Sequence, residues 1–120
     1  MRRKHHQLVA WQAAIMLVKK IYETTKSFPQ NEVYGLISQM RRAAVSVPAN
    51  IAEGAGRTTA KEFVQFLSIA RGSLSELDTY IVICKDLGYV SDTAELESLM
   101  DRVFGLVGGL INSERRVAAK

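Results

Sequence analysis

Ser46, Asn50, Glu53 and Arg57 recur at steps of 4, 3 and 4, a spacing that aligns four polar side chains along one stripe of a helix. A second stripe, Ser73, Glu76 and Tyr80, follows with the same periodicity. Two carboxylates on facing helices could do acid–base work, which makes Glu53 with Glu76 the sharpest catalytic pairing in the chain. Counting equal distances back from the turn at Gly56 sets Ser73 level with about Gln39. The two stripes are therefore not expected to meet, and the two carboxylates should lie far apart. The structural reading is that Ser46, Asn50, Glu53, Gly54, Ser73 and Glu76 satisfy kinked backbone or pack at a subunit interface. Asn50 in particular should be substantially buried, and a buried polar group left without a partner costs about 1–3 kcal/mol.

The other reactive residue types fare no better. His5 and His6, the only histidines, sit in the N-terminal arm, whereas a di-iron bundle needs inward Glu-x-x-His pairs on its helices. Cys84 is the sole cysteine. It can form no intrachain disulfide, has no His partner, and reads as a core residue in a reducing compartment. Gly54-Ala55-Gly56-Arg57 could hold a phosphate, but it follows a helix and lacks the lysine of a phosphate loop. The expectation is a protein that is not an enzyme and uses no metal or cofactor.

The elements that must carry these stripes are helices. Leu8, Trp11, Ile15, Val18, Tyr22 and Thr25 step by 3, 4, 3, 4 and 3, a helical seam widened by Ala14, Leu17 and Ile21. Phe28-Pro29 ends this helix. Asn31 is placed to cap a second one, with seam Val33, Ile37, Met40, Ala44, Val47 and Ile51. Pro48 interrupts that pattern without shifting its register, which predicts a kinked second helix stopped by a left-handed turn at the tandem glycines. Thr59 and Glu62 form a capping box for the third helix. Phe63, Leu67, Ala70, Leu74, Leu77, Ile81 and Cys84 are its seam, and Gly88 with Tyr89 its terminator. Ser91 or Asp92 caps the fourth, whose seam is Leu96, Leu99, Val103, Leu106 and Leu110; Gly105, Gly108 and Gly109 permit a close helix approach. The fold class expected is all-α, an antiparallel up-down-up-down four-helix bundle over residues 8–114. A basic arm precedes it over 1–7, and a frayed basic tail follows over 115–120.

With 120 residues, 48% of them hydrophobic, the chain can bury the core of one domain. It has no apolar run long enough to span a membrane and no signal peptide, so a cytoplasmic protein is expected. The net charge of +4 is uneven: residues 1–57 hold 9 basic and 3 acidic groups, residues 58–120 hold 7 and 9. Up-down topology gathers Arg2, Arg3, Lys4, Arg57, Lys61, Arg115, Arg116 and Lys120 at one end, against Glu53, Glu62 and Glu114. The opposite end holds Lys19, Lys20, Lys26 and Lys85 against six carboxylates, for a balance of −2. Guanidinium groups suit phosphate, so the basic end is expected to bind RNA or DNA weakly and without sequence preference. No exposed aromatic residue for base stacking is evident.

Tyr34-Gly35-Leu36, Gln39, Arg42-Ala43-Ala44, Ser46, Asn50-Ile51-Ala52-Glu53-Gly54 and Gly56-Arg57 together form a pattern. With Phe63, Phe66-Leu67, Ile69-Ala70, Gly72-Ser73-Leu74 and Glu76-Leu77, it resembles the four-helix-bundle proteins of the 23S rRNA intervening-sequence family over about residues 8–112. That resemblance implies a homopentamer without known catalytic activity, encoded in bacterial 23S rRNA gene insertions or elsewhere in bacterial genomes. The chain is also similar to the accessory variability protein of diversity-generating retroelements, which implies nucleic acid and a reverse transcriptase as partners. The alternative from the charge pattern is a scaffold that binds a protein partner and no nucleic acid.

Overall fold

The most regular apolar repeat of the sequence becomes the helix with the cleanest buried face. In the computed structural model, which describes residues 3–120, α3 spans Ala60–Asp86, and Phe63, Leu67, Ala70, Leu74, Leu77, Ile81 and Cys84 are its buried residues. Thr59 Oγ1 caps it by accepting from the Glu62 amide at 3.2 Å. Its end is a Schellman turn. Gly88 adopts φ 77°, the Tyr89 amide donates to the Cys84 carbonyl at 2.9 Å, and the Gly88 amide to Lys85 at 3.1 Å.

The other helices are α1 (Val9–Thr25), α2 (Ser38–Ala55) and α4 (Ala94–Ala118). Each packs on two neighbours in the ring α1, α2, α3, α4. Lys20 meets Glu95, while Leu8, Val9 and Ala10 lie along Gly105 to Ser113. Ser46 meets Ser73, and Gly54 lies against Phe63 and Phe66. In both pairs the chains run in opposite directions.

Several expectations change. In α1 the buried line is Ala10, Ala13, Ala14, Leu17, Ile21 and Thr25, so Thr25 and the flanking Ala14, Leu17 and Ile21 are buried as expected while the rest of the seam is not. At 100° per residue, the buried line is about a quarter turn from the predicted seam of Trp11, Ile15, Val18 and Tyr22. Alanines let the neighbouring helices come close, so the bulky side flanks the core. In α4, Met100, Val107 and Ile111 join Leu96 and Val103 in the core, while Leu99, Leu106 and Leu110 are half-buried. A Cβ at Gly105, Gly108 or Gly109 would meet nothing within 4 Å, so these glycines serve no close approach.

The second helix differs most. Asn31 caps nothing. Gln30–Glu32 form a 3₁₀ turn and Val33–Ile37 a π turn, with non-helical backbone at Gly35. Glu32 is the cap, accepting from the Leu36 amide at 3.3 Å. The helix continues through Pro48, as its unshifted register predicts, and the backbone departure, which the sequence did not predict, lies at Gly35. No left-handed turn stops α2: Gly54 is helical, and Gly56 has φ −84° and ψ −4°. Thr93, one residue beyond the candidates named, is the residue before α4, while Asp92 Oδ1 accepts from the Ala94 amide at 3.1 Å. The basic tail is helical through Ala118.

Candidate functional site

The polar stripes of α2 and α3 meet, contrary to the count made from Gly56. Ser46 Oγ lies 2.8 Å from Ser73 Oγ. Asn50 Nδ2 donates to the Ser46 carbonyl at 2.8 Å and to Ser46 Oγ at 3.0 Å. The hairpin is not symmetric about the glycines: α2 runs to Ala55 and α3 starts only at Ala60, and the Ser46–Ser73 contact sets the mirror point at about Thr59. Asn50 is half-buried. The three groups are neutral and include no base, so they tie two helices together and do not activate a hydroxyl.

Each carboxylate of the stripes is engaged by a residue four positions on in its own segment. Glu53 pairs with Arg57 at 3.3 Å, and Glu76 accepts from the Tyr80 hydroxyl at 3.0 Å. That bond pushes the Tyr80 phenol above its ordinary range, with desolvation and the Glu76 charge adding to it. The same register sets Glu76 level with Ala43, ten residues from Glu53, or about 15 Å along the axis. The two carboxylates form no pair. Gly54 is small for a packing reason, because a Cβ there would lie 2.8 Å from both Phe63 and Phe66 side-chain atoms.

The basic end is only partly as expected. Arg2 lies outside the described residues. Arg3 precedes the 3₁₀ turn Lys4–Gln7, and the His5 and His6 rings sit 5.2 and 5.0 Å from Trp11. Gln12 Nε2 donates to the His6 carbonyl at 2.8 Å, so the arm is folded against α1. Residues 105–113 already flank the start of α1, so the last turn of α4, with exposed Arg115 and Arg116, projects beyond it. Lys61 is exposed in the first turn of α3. Arg57 is neither buried nor free: its guanidinium, with 41% of the side chain exposed, pairs with Glu53 and lies 4.7 Å from the Phe66 ring centre.

The late start of α2 brings Arg41 and Arg42 beside the end of α1, toward the end counted as acidic. Arg41 Nε donates to Thr25 Oγ1 at 3.0 Å, and its guanidinium stacks 4.4 Å above the Tyr22 ring. Sequence reasoning also missed Tyr34, an aromatic ring 95% exposed beside the Gly35 break. Its place off the Val33, Ile37, Met40 seam was the available signal. Tyr89 OH donates to Glu32 Oε2 at 2.8 Å, which raises the Tyr89 phenol pKa and links the two turns of this end.

Cys84 is fully buried. Burial raises its thiol pKa, which keeps it protonated and unreactive near neutrality. Among the described residues, no group of three His, Cys, Asp or Glu could hold a metal. No helix among them is long and apolar enough to cross a membrane.

These features define an all-α four-helix protein whose internal polar groups join helices and whose charges lie outside. A family model described as 23S rRNA-intervening sequence protein matches residues 6–109, and the chain belongs to that family. No curated protein matches it.

Proposed function

We propose that this chain is a non-enzymatic, cytoplasmic accessory protein that assembles as a homo-oligomer, a pentamer on the family resemblance, and binds RNA through its cationic end. The observation that carries the reading is the exposed Arg115-Arg116 pair on the projecting turn of α4, at the end of the bundle that also holds Lys4 and Lys61. Those side chains can reach phosphates without dismantling an internal contact, and phosphate neutralisation is tolerant of sequence. Arg57 contributes less, since Glu53 already meets its charge. Self-assembly is supported by the large apolar side chains left outside the core, among them Val9, Met16, Ile69 and Val82.

The test is binding to a labelled single-stranded RNA across a salt series. Affinity should fall steeply with salt, and Arg115→Gln with Arg116→Gln should reduce the slope by about 2. Absence of binding at low salt, or a slope the double variant leaves unchanged, rejects the interface. Sedimentation should give several times the 13.3 kDa chain mass; a monodisperse monomer at micromolar concentration rejects the assembly.

A further inference from the structure

We infer that the cleft between the end of α1 and the first turns of α2 is a docking groove for an acidic, amphipathic peptide segment of a partner protein, with Arg41 reading a carboxylate. The cleft has a volume of about 610 Å³, and Lys26, Arg41 and Arg42 line it with no acidic residue among its walls. The ion pairs among the described residues are Lys20–Glu95, Arg57–Glu53 and Lys85–Glu97, so none of the three cations lining the cleft is paired with a carboxylate. Glu32, the nearest carboxylate in sequence to the α2 start, is held by Tyr89 and the Leu36 amide.

Arg41 is also prearranged. Thr25 is buried, and its hydroxyl donates to the Ile21 carbonyl at 2.8 Å while accepting from Arg41 Nε at 3.0 Å. The Tyr22 carbonyl accepts from the Arg41 terminal nitrogen at 3.4 Å, and the Tyr22 ring supports the guanidinium plane. A guanidinium held this way loses little freedom when a carboxylate engages its remaining N–H groups. The apolar part of the wall, Phe28, Val33, Ile37 and Val45, calls for a ligand with apolar side chains beside its acids. A nucleic-acid backbone brings no such groups. The exposed Tyr34 ring is not part of the wall, so the groove contains no platform for stacked bases. The cleft is more open than enclosed, which suits a peptide segment better than a small molecule that needs enclosure. The inference concerns the end opposite the RNA-binding proposal and does not depend on it.

The experiment is fluorescence anisotropy on the full chain with a short labelled peptide in which Leu and Phe alternate with Asp and Glu. Its controls are the same peptide with Asn and Gln for the acids, and a single-stranded RNA of matching charge. The acidic peptide should bind and the neutral one should not. Arg41→Gln should weaken binding tenfold or more, Arg41→Lys should restore it only in part, and the Arg115→Gln, Arg116→Gln protein should bind as before. Val45→Glu, at an exposed position on the rim, should also abolish binding, so the test survives if Arg41→Gln fails to fold. Equal binding of the neutral peptide, no peptide binding, or RNA binding lost in Arg41→Gln overturns the inference. So does dissociation of the oligomer by Arg41→Gln, which would show a second copy covering the groove.

Discussion

Arg57 at the glycine corner and Arg41 at the opposite end both lie against an aromatic ring, Phe66 at 4.7 Å and Tyr22 at 4.4 Å. They differ in what meets the charge. Arg57 finds Glu53 four residues earlier, in the last turn of α2, whereas Arg41 is held by the Thr25 hydroxyl and the Tyr22 carbonyl, which orient it without neutralising it. A guanidinium paired locally has little left for a ligand; one positioned by neutral acceptors keeps its field. The corner is therefore a packed joint with its cations on the projecting tip of α4, and the other end is an open cleft with a prearranged cation.

The sharpest way to break this contrast is through the glycines. Gly54→Ala at the joint would drive a Cβ to 2.8 Å from Phe63 and Phe66, and should cost about 1–3 kcal/mol, read as a lowered urea midpoint. Gly35→Ala meets only the Glu32 Oε1 atom, at 2.5 Å. That flexible end can swing away, so the cost should be about 1 kcal/mol, the worth of the Glu32 hydrogen bonds. If Gly35→Ala is the more damaging of the two, the joint and the open end have been misassigned. Ser73→Ala, between the ends, should cost about 0.5–1.5 kcal/mol by removing the partner of Ser46. Glu76→Gln, on the exposed stripe, should leave the urea midpoint nearly unchanged.

A smaller effect separates the ends by pH. Cys84 and Tyr89, both near the cleft end, have raised pKa values from burial and from Glu32 respectively. A raised acid keeps its proton in the folded state, so its contribution is complete below the unfolded pKa and declines as pH rises through the folded one. Thermal midpoints should therefore fall above about pH 8.5, where an unfolded thiol ionises, and Cys84→Ala should flatten the decline. A midpoint that rises with alkaline pH would contradict these environments. A comparably small effect belongs to Arg57→Gln, which removes an exposed pair four residues apart and should change stability by no more than about 0.5 kcal/mol. Its effect on the RNA salt slope should be smaller than that of either Arg115→Gln or Arg116→Gln.

The third helix was fully legible because one unbroken 4-3 apolar repeat runs its whole length, and the apolar residues off it, among them Val64, Ile69, Val82 and Ile83, form no second repeat of that length. All seven predicted seam residues are buried there. In α1 apolar residues cover most of the circumference, so periodicity could not choose between the bulky side at Trp11 and Ile15 and the alanine side at Ala10 and Ala14. The choice depends on how near α2 and α4 approach, which no local pattern encodes. The meeting of Ser46 and Ser73 failed for a related reason: their register depends on where α2 and α3 end, and a few residues at the turn displace every pair facing across the hairpin. Arg41 gave no signal in the sequence because its partners, Tyr22 and Thr25, lie on another helix.

Apolar spacing and chain length alone specified four helices, the α3 seam, its Thr59 cap and its Gly88 terminator, since each follows from interactions within a few residues. Tertiary structure alone decided which side of α1 is inside, that the backbone departs from helix at Gly35 and not at Pro48, and which arginine keeps its charge available. Those outcomes depend on distances between residues remote in sequence, and such distances are set only when the helices pack.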